Sequence, residues 1–148
     1  MAFDIDPSQL GNPQDLEQLW VNKAIDFSEV HYDLLQSLDA RFLKLTHIDD
    51  RIYEAFKASF PELNVEKIEE EELKNEAAKI KWRHFCEQFK PLIKDHNFGT
   101  LLRLDPKGPY TEENTTFSYR LQFLAIEIAR NKEGFNLSLH TMPQQEFS

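Results

Sequence analysis

Cysteine, glycine and positive charge are all scarce in this chain, and each scarcity removes a class of function. A single cysteine, Cys86, excludes an internal disulfide and fits a reducing compartment. The four glycines stand at 11, 99, 108 and 134, too far apart for a dinucleotide-binding turn or a phosphate-cradling loop, so no nucleotide is expected to bind. No two of the five histidines are four residues apart, and His84 and Cys86, two apart on a helix, diverge; a zinc site is not expected. The formal charge of -9 argues against nucleic acid, whose phosphates need a clustered positive surface, and favours a basic protein partner. The start, MAFDIDPSQLGNPQD, has acids where a secretory leader needs bases, so a cytosolic protein is expected. No G-x-S-x-G motif is present, and nothing marks Cys86 as a low-pKa thiolate, so it reads as a buried structural thiol. No cofactor is expected.

At 148 residues and 41% hydrophobic, with twelve Phe, the chain has the length and apolar content for one domain. Its densest stretch, Leu121 to Ala129 (LQFLAIEIA), is apolar on nearly every face of a helix and must be covered on all sides. It is too short to cross a bilayer, which takes about 20 apolar residues, so no membrane span is expected and the rest of the chain must cover it. Its single acid, Glu127, needs a partner: Arg130 three residues on, or Arg103 or Arg120 across the fold.

In order, residues 1–11 read as a mobile tail, and Asn12-Pro13 as a helix start with cap and first-turn proline. Leu16, Leu19, Trp20, Ala24, Phe27, Val30, Leu34 and Leu38 recur at helical spacing, with Glu17, Asp26, Glu29 and Asp33 on the opposite face. Thr46-x-x-Asp49 resembles a capping box that opens a second helix, ended by Pro61. The acids Glu69 to Glu72 open a third, carried by Leu73, Ala77, Ile80, Trp82, Phe85 and Phe89 to Lys90. Thr100 to Leu104 and Thr115 to Tyr119 read as two short strands pairing around a long loop. The main helix then runs to Lys132, with Gly134 as its terminal glycine. The expected fold is mainly α: one helical domain at 12–141 with a small β-hairpin near the C-terminal third, and a loose end at 142–148.

Five blocks carry a family resemblance: FLKLTHIDDRIY at 42–53, KWRHFC at 81–86, GTLLRLD at 99–105, YTEENT at 110–115 and QFLAIEIARNKEG at 122–134. In order and spacing they resemble the eukaryotic proteins called polysaccharide biosynthesis domain-containing, over about residues 30–136. The resemblance implies a dedicated, co-translational chaperone that binds newly made translation elongation factor 1A and guards its GTPase domain, with ribosome-associated factors as further partners. Such a protein is expected to act as a cytoplasmic monomer and not as an enzyme. By motif, the implied client contacts are the polar, expectedly exposed Arg103, Asp105, Tyr110, Glu112, Glu113, Asn114, Arg120 and Arg130, with Lys81, Trp82 and Arg83 as secondary candidates. Phe98, Tyr119 and Phe135 depart from the family's pattern, and Tyr119 bears on where the second strand ends.

Two other readings stay open. Arg103, Arg120 and Arg130 with Glu127, Asp105 and Glu113 also read as an ion-pair network that fixes the hairpin to the main helix. For the protein as a whole, the rivals are the sugar-acting transferase that the family's label suggests and an acidic scaffold built on the first helix. A transferase of that kind needs a glycine-rich turn after a buried strand, and the sequence offers none.

Overall fold

The computed structural model describes residues 13–141, with side chains from 21 to 140. The expected tail, the Asn12 cap, the side chains of Leu16, Glu17, Leu19 and Trp20, and the loose end at 142–148 lie outside the described residues. Six helices and a two-stranded antiparallel sheet follow in order: α1 (Pro13–Ser37), α2 (Asp49–Ser59), α3 (Glu71–Lys74), α4 (Glu76–Glu87), β1 (Gly99–Arg103), β2 (Thr115–Tyr119), α5 (Arg120–Glu133) and α6 (Leu137–Thr141). A 3-10 turn at Ala40–Phe42 links α1 to α2. The fold is mainly α with a small sheet, as the sequence leads one to expect.

Helix α5 is the axis. Every residue from Leu121 to Asn131 is buried, because α2, the 3-10 turn and both strands surround it. It begins where Gln122 Oε1 reaches back to accept the Tyr119 N–H at 2.9 Å, a bond that also ends β2. It stops at Gly134, whose φ of 85° is the left-handed conformation that terminates helices and that only glycine adopts without strain.

Against α5 lies a core of Ile52 and Phe56 from α2, Trp82 and Phe85 from α4, and Leu102 from β1. Phe60 stacks on Trp82 with ring centres 4.1 Å apart, which closes the loop after α2 over α4. On the other side, Tyr32 and Leu35 of α1 form a second cluster with Ala40, Tyr110 and Leu139.

Four expectations need correction. The buried stripe of α1 is Ala24, Ser28, His31, Tyr32 and Leu35, whereas Val30, Leu34 and Leu38 are 58, 36 and 44% exposed. Two polar residues go inside because each has a partner: Ser28 Oγ donates to the Ile25 carbonyl at 2.7 Å, and His31 Nδ1 lies 2.7 Å from the Tyr110 hydroxyl. The third helix is broken at Asn75, whose extended backbone lets its side chain accept the Ala78 N–H at 2.7 Å; the break turns Ile80 outward, 53% exposed. Thr46 does not cap α2, which begins at Asp49. Asp49 instead reaches back to accept both Leu45 and Thr46 N–H, at 2.8 and 2.7 Å, closing the turn before the helix. The first strand is Gly99–Arg103, one residue earlier than expected, while the second is Thr115–Tyr119.

Candidate client-binding surface

The expected client contacts divide sharply by burial. Arg103 and Arg130 are fully buried and Tyr110 is 4% exposed, so these three are removed from any surface. They close around Glu127, itself fully buried. Arg103 Nη2 lies 3.2 Å from both Glu127 oxygens, Arg130 Nη1 donates to Oε2 at 3.1 Å, and Asn136 Nδ2 donates to Oε1 at 2.9 Å. Two guanidiniums around one carboxylate leave an excess donor charge, which backbone carbonyls accept. Arg103 Nη1 donates to Pro106 O at 2.7 Å, while Arg130 donates to Val65 O at 2.8 Å and Leu104 O at 3.1 Å.

Burial by itself would raise the Glu127 pKa, but Arg103 and Arg130 outweigh it and hold the carboxyl well below the usual carboxylate range. Tyr110 adds its ring face 5.5 Å from the Arg103 guanidinium, and burial pushes its hydroxyl above the usual phenol range. For the same reason of burial, the adjacent His31 falls to about 4 and is neutral at physiological pH. The cluster ties the strand end and the loop before α3 to the main helix. Arg120, Asp105 and Glu113, expected within it, stand apart. Arg120 is half-buried with its guanidinium 5.9 Å from the Phe27 ring centre. Asp105 accepts the Lys107 N–H at 2.8 Å, and Glu113 is exposed.

The hairpin loop is held from within by Asn114. Its Nδ2 donates to the carbonyls of Asp105 and Pro109, each at 3.0 Å, and its Oδ1 accepts the Asp105 N–H at 3.0 Å. A Cβ at Gly108 would come within 2.8 Å of that amide, so any other residue there would displace the Asn114 side chain that holds the loop. Asp105 and Asn114 are therefore turn-building residues, and Glu112 and Glu113 remain as exposed acids on the loop. Through Tyr110, that loop is seated against His31 and Tyr32 of α1.

Of the secondary candidates, Trp82 is buried, Lys81 is exposed with its ammonium 4.8 Å from the Phe60 ring centre, and Arg83 is exposed beside a groove of about 530 Å³ between α4 and the hairpin. Cys86 is only half-buried, at the same groove, and burial pushes its thiol up to about 11, which leaves it protonated and unreactive.

One surface was missed by sequence reasoning. Val30, Leu34 and Leu38 project outward from α1 on the side that carries Asp26, Glu29 and Asp33, and Phe42, in the turn past the helix end, is 80% exposed. The signal was present: two apolar series share α1, and only the one containing His31 and Ser28 is inside. No group of His, Cys, Asp and Glu that could hold a metal occurs among the described residues, and no described helix is long and apolar enough to cross a membrane.

A protein-family model described as PBDC1 protein matches residues 16–141. Protein PBDC1 of Mus musculus is 49% identical over 145 residues, covering 98% of this chain and 73% of that protein. For Protein PBDC1 of Homo sapiens the figures are 47%, 98% and 62%, so the chain spans less than two thirds of the human relative. The Protein PBDC1 homolog of Saccharomyces cerevisiae is 46% identical over 129 residues, 84% of this chain and 88% of its own length. A solution NMR structure of a Saccharomyces cerevisiae protein superposes with a TM-score of 0.84 at 41% identity, covering 94% of this chain and 98% of that one.

Proposed function

The chain belongs to the PBDC1 protein family, and from that premise we propose that it is a cytoplasmic binding protein, not an enzyme: a dedicated chaperone that holds newly made translation elongation factor 1A while its GTPase domain folds. The observation that carries this reading is the outward face of α1. Three large apolar side chains, Val30, Leu34 and Leu38, are exposed, and three acids, Asp26, Glu29 and Asp33, lie among them. A basic client that still exposes unfinished core is matched by such a face in both charge and hydrophobicity. The exposed acids Glu112 and Glu113, on the loop that Tyr110 seats against α1, add to the negative charge of the molecule.

Binding kinetics with the isolated GTPase domain of the elongation factor test the reading. Changing Asp26 and Asp33 to Asn and Glu29 to Gln is expected to slow association several-fold and flatten its ionic-strength dependence, as for exposed charges within a Debye length of about 8 Å. Val30→Ser with Leu34→Ser is expected to speed dissociation, because contact area acts on the off-rate. Glu112→Ala with Glu113→Ala is expected to do the same to a smaller degree. If both rates are unchanged in all three variants, α1 and its loop are not the client surface. If the wild-type chain shows no complex, the function itself is refuted.

A further inference from the structure

The groove between α4 and the hairpin differs in character from the rest of this acidic molecule. No Asp or Glu lines it, whereas Lys74, Lys79, Arg83, Lys90 and His96 do. Lys74, Lys79 and Lys90 lean on Glu70, Glu76 and Glu87 at 3.3, 3.9 and 2.7 Å, exposed pairs that contribute little and are easily exchanged. Arg83 makes no ion pair among the described residues. Phe117 and Tyr119, 45 and 58% exposed, form the hairpin side of the groove, and Trp82 its floor.

Strand register shows what else the groove presents. The ladder pairs Gly99 with Tyr119 through Arg103 with Thr115. Just outside it, Arg120 N–H donates to Phe98 O at 2.7 Å and Leu104 N–H to Asn114 O at 2.8 Å. Hydrogen-bonded and non-bonded pairs alternate in an antiparallel ladder. Counting inward from either end gives the same phase: Thr100–Ser118 and Leu102–Thr116 are the bonded pairs. Thr115 and Phe117 therefore turn their N–H and C=O away from β1. The sheet has no third strand among the described residues, so these groups form a free edge. Phe117, Ser118 and Tyr119 line the groove together with α4, so this edge borders α4, and Lys74, which donates to the Thr116 hydroxyl at 2.9 Å, stands on the Thr116 face of the sheet.

We propose that this groove binds an extended acidic segment of a partner protein, which adds to β2 as a third strand. Backbone bonds to Thr115 and Phe117 fix its register, its alternate apolar side chains pack on Phe117 on one face of the sheet, and its carboxylates, on the other face, meet Arg83 and the neighbouring lysines. This partner is distinct from the basic client assigned to α1, and the proposal does not depend on that assignment.

The test uses the full chain and fluorescent eight-residue peptides of alternating Asp and Val, alternating Lys and Val, and alternating Asp and Val with N-methylated backbone. Anisotropy is expected to show the Asp peptide binding at least tenfold tighter than the Lys peptide, with N-methylation abolishing binding. Amide NMR shifts are expected to centre on Thr115, Phe117 and the Trp82 indole. Arg83→Glu with Lys90→Glu, both at exposed positions, is expected to weaken the Asp peptide at least tenfold while the melting temperature stays unchanged. Equal binding of Asp and Lys peptides, binding that survives N-methylation, or shifts centred elsewhere would overturn the proposal. So would tighter binding of an eight-nucleotide single strand, which would make the groove a phosphate site. Charge reversal at Asp4 and Asp6 in the full chain is expected to leave the affinity unchanged; a tenfold gain would assign the groove to the chain's own amino-terminal acids and refute the partner.

Discussion

Replacing Glu127 by Gln removes one charge, keeps the side-chain volume, and leaves two arginines facing each other in the core. The contacts are 3.2 Å to Arg103 and 3.1 Å to Arg130, and all three side chains are fully buried. Coulomb's law gives each contact about 5 kcal/mol at an effective dielectric near 20. Desolvation offsets most of that in the intact triad. Removal of the shared anion offers no such offset: the guanidiniums stay buried and repel each other. The expected loss is about 3–5 kcal/mol, the cost of breaking a buried pair by deleting one partner. For a domain of this size each kcal/mol corresponds to about 2–4 °C, so the melting temperature should fall by on the order of 10 °C. Urea unfolding followed by circular dichroism measures both, with Glu113→Gln at the exposed loop as a control expected to stay within about 0.5 kcal/mol. Because the folded carboxyl is held far below its unfolded value, its contribution is complete above the ordinary glutamate pKa and is lost only as pH falls through the depressed value. The wild-type advantage over Glu127→Gln should therefore persist undiminished from pH 7 down to about 5. A difference under about 1 kcal/mol at pH 7 would refute the claim that this carboxylate holds the hairpin to α5.

Three further outcomes are expected. His31, held neutral with its pKa at about 4, must be protonated in the unfolded chain first, so its contribution is complete above the unfolded value near 6.5 and declines as pH falls toward 4. Between pH 7.5 and 5 this amounts to about 2 kcal/mol, and the difference in pH slope between wild type and His31→Phe in urea titrations measures it. Gly134→Ala meets no neighbour within 4 Å, so only the strain of a left-handed residue remains; the cost should be about 1 kcal/mol, with no change in client binding. Calorimetry with GTP, S-adenosylmethionine and zinc is expected to give no micromolar signal, and one positive titration would revive an enzymatic reading.

The elements with the strongest patterns were readable from residues alone. LQFLAIEIA had to be enclosed and Glu127 had to be paired, and both follow from the cost of exposed apolar and unpaired charged groups. Gly134 and Pro61 marked helix ends by backbone chemistry that no packing overrides. Errors arose where two answers satisfied the same local rule. The α1 spacing fits either of two faces, and a long-range partner, Tyr110, decides in favour of the one with His31. Asn75 is tolerable inside a helix and also caps one, and the break depends on α4 turning Trp82 and Phe85 into the core. Arg103 and Arg130 had two readings, as exposed client contacts and as partners of the enclosed Glu127, and the geometry around Glu127 decides for the second while leaving Arg120 out. The free edge of β2 was not readable, since it depends on ladder phase and on what lies beside it.

The same carboxylate fixes how the molecule opens. Isolated two-stranded hairpins flicker apart, and their amides exchange with solvent almost freely. Here the strand end at Arg103, the carbonyls of Val65 and Leu104, and Asn136 beyond the glycine stop all converge on α5 through Glu127 and Arg130, and Ile68 N–H closes on Leu104 O at 2.9 Å. Detaching any one of these segments leaves a buried charged group short of a hydrogen-bond partner, so none has an inexpensive partial opening of its own. Hairpin and main helix are thus one cooperative unit. Deuterium uptake at Leu102 and Thr116 should proceed only through global unfolding, at the same rate as at Ile126 and far more slowly than a two-stranded sheet would otherwise permit.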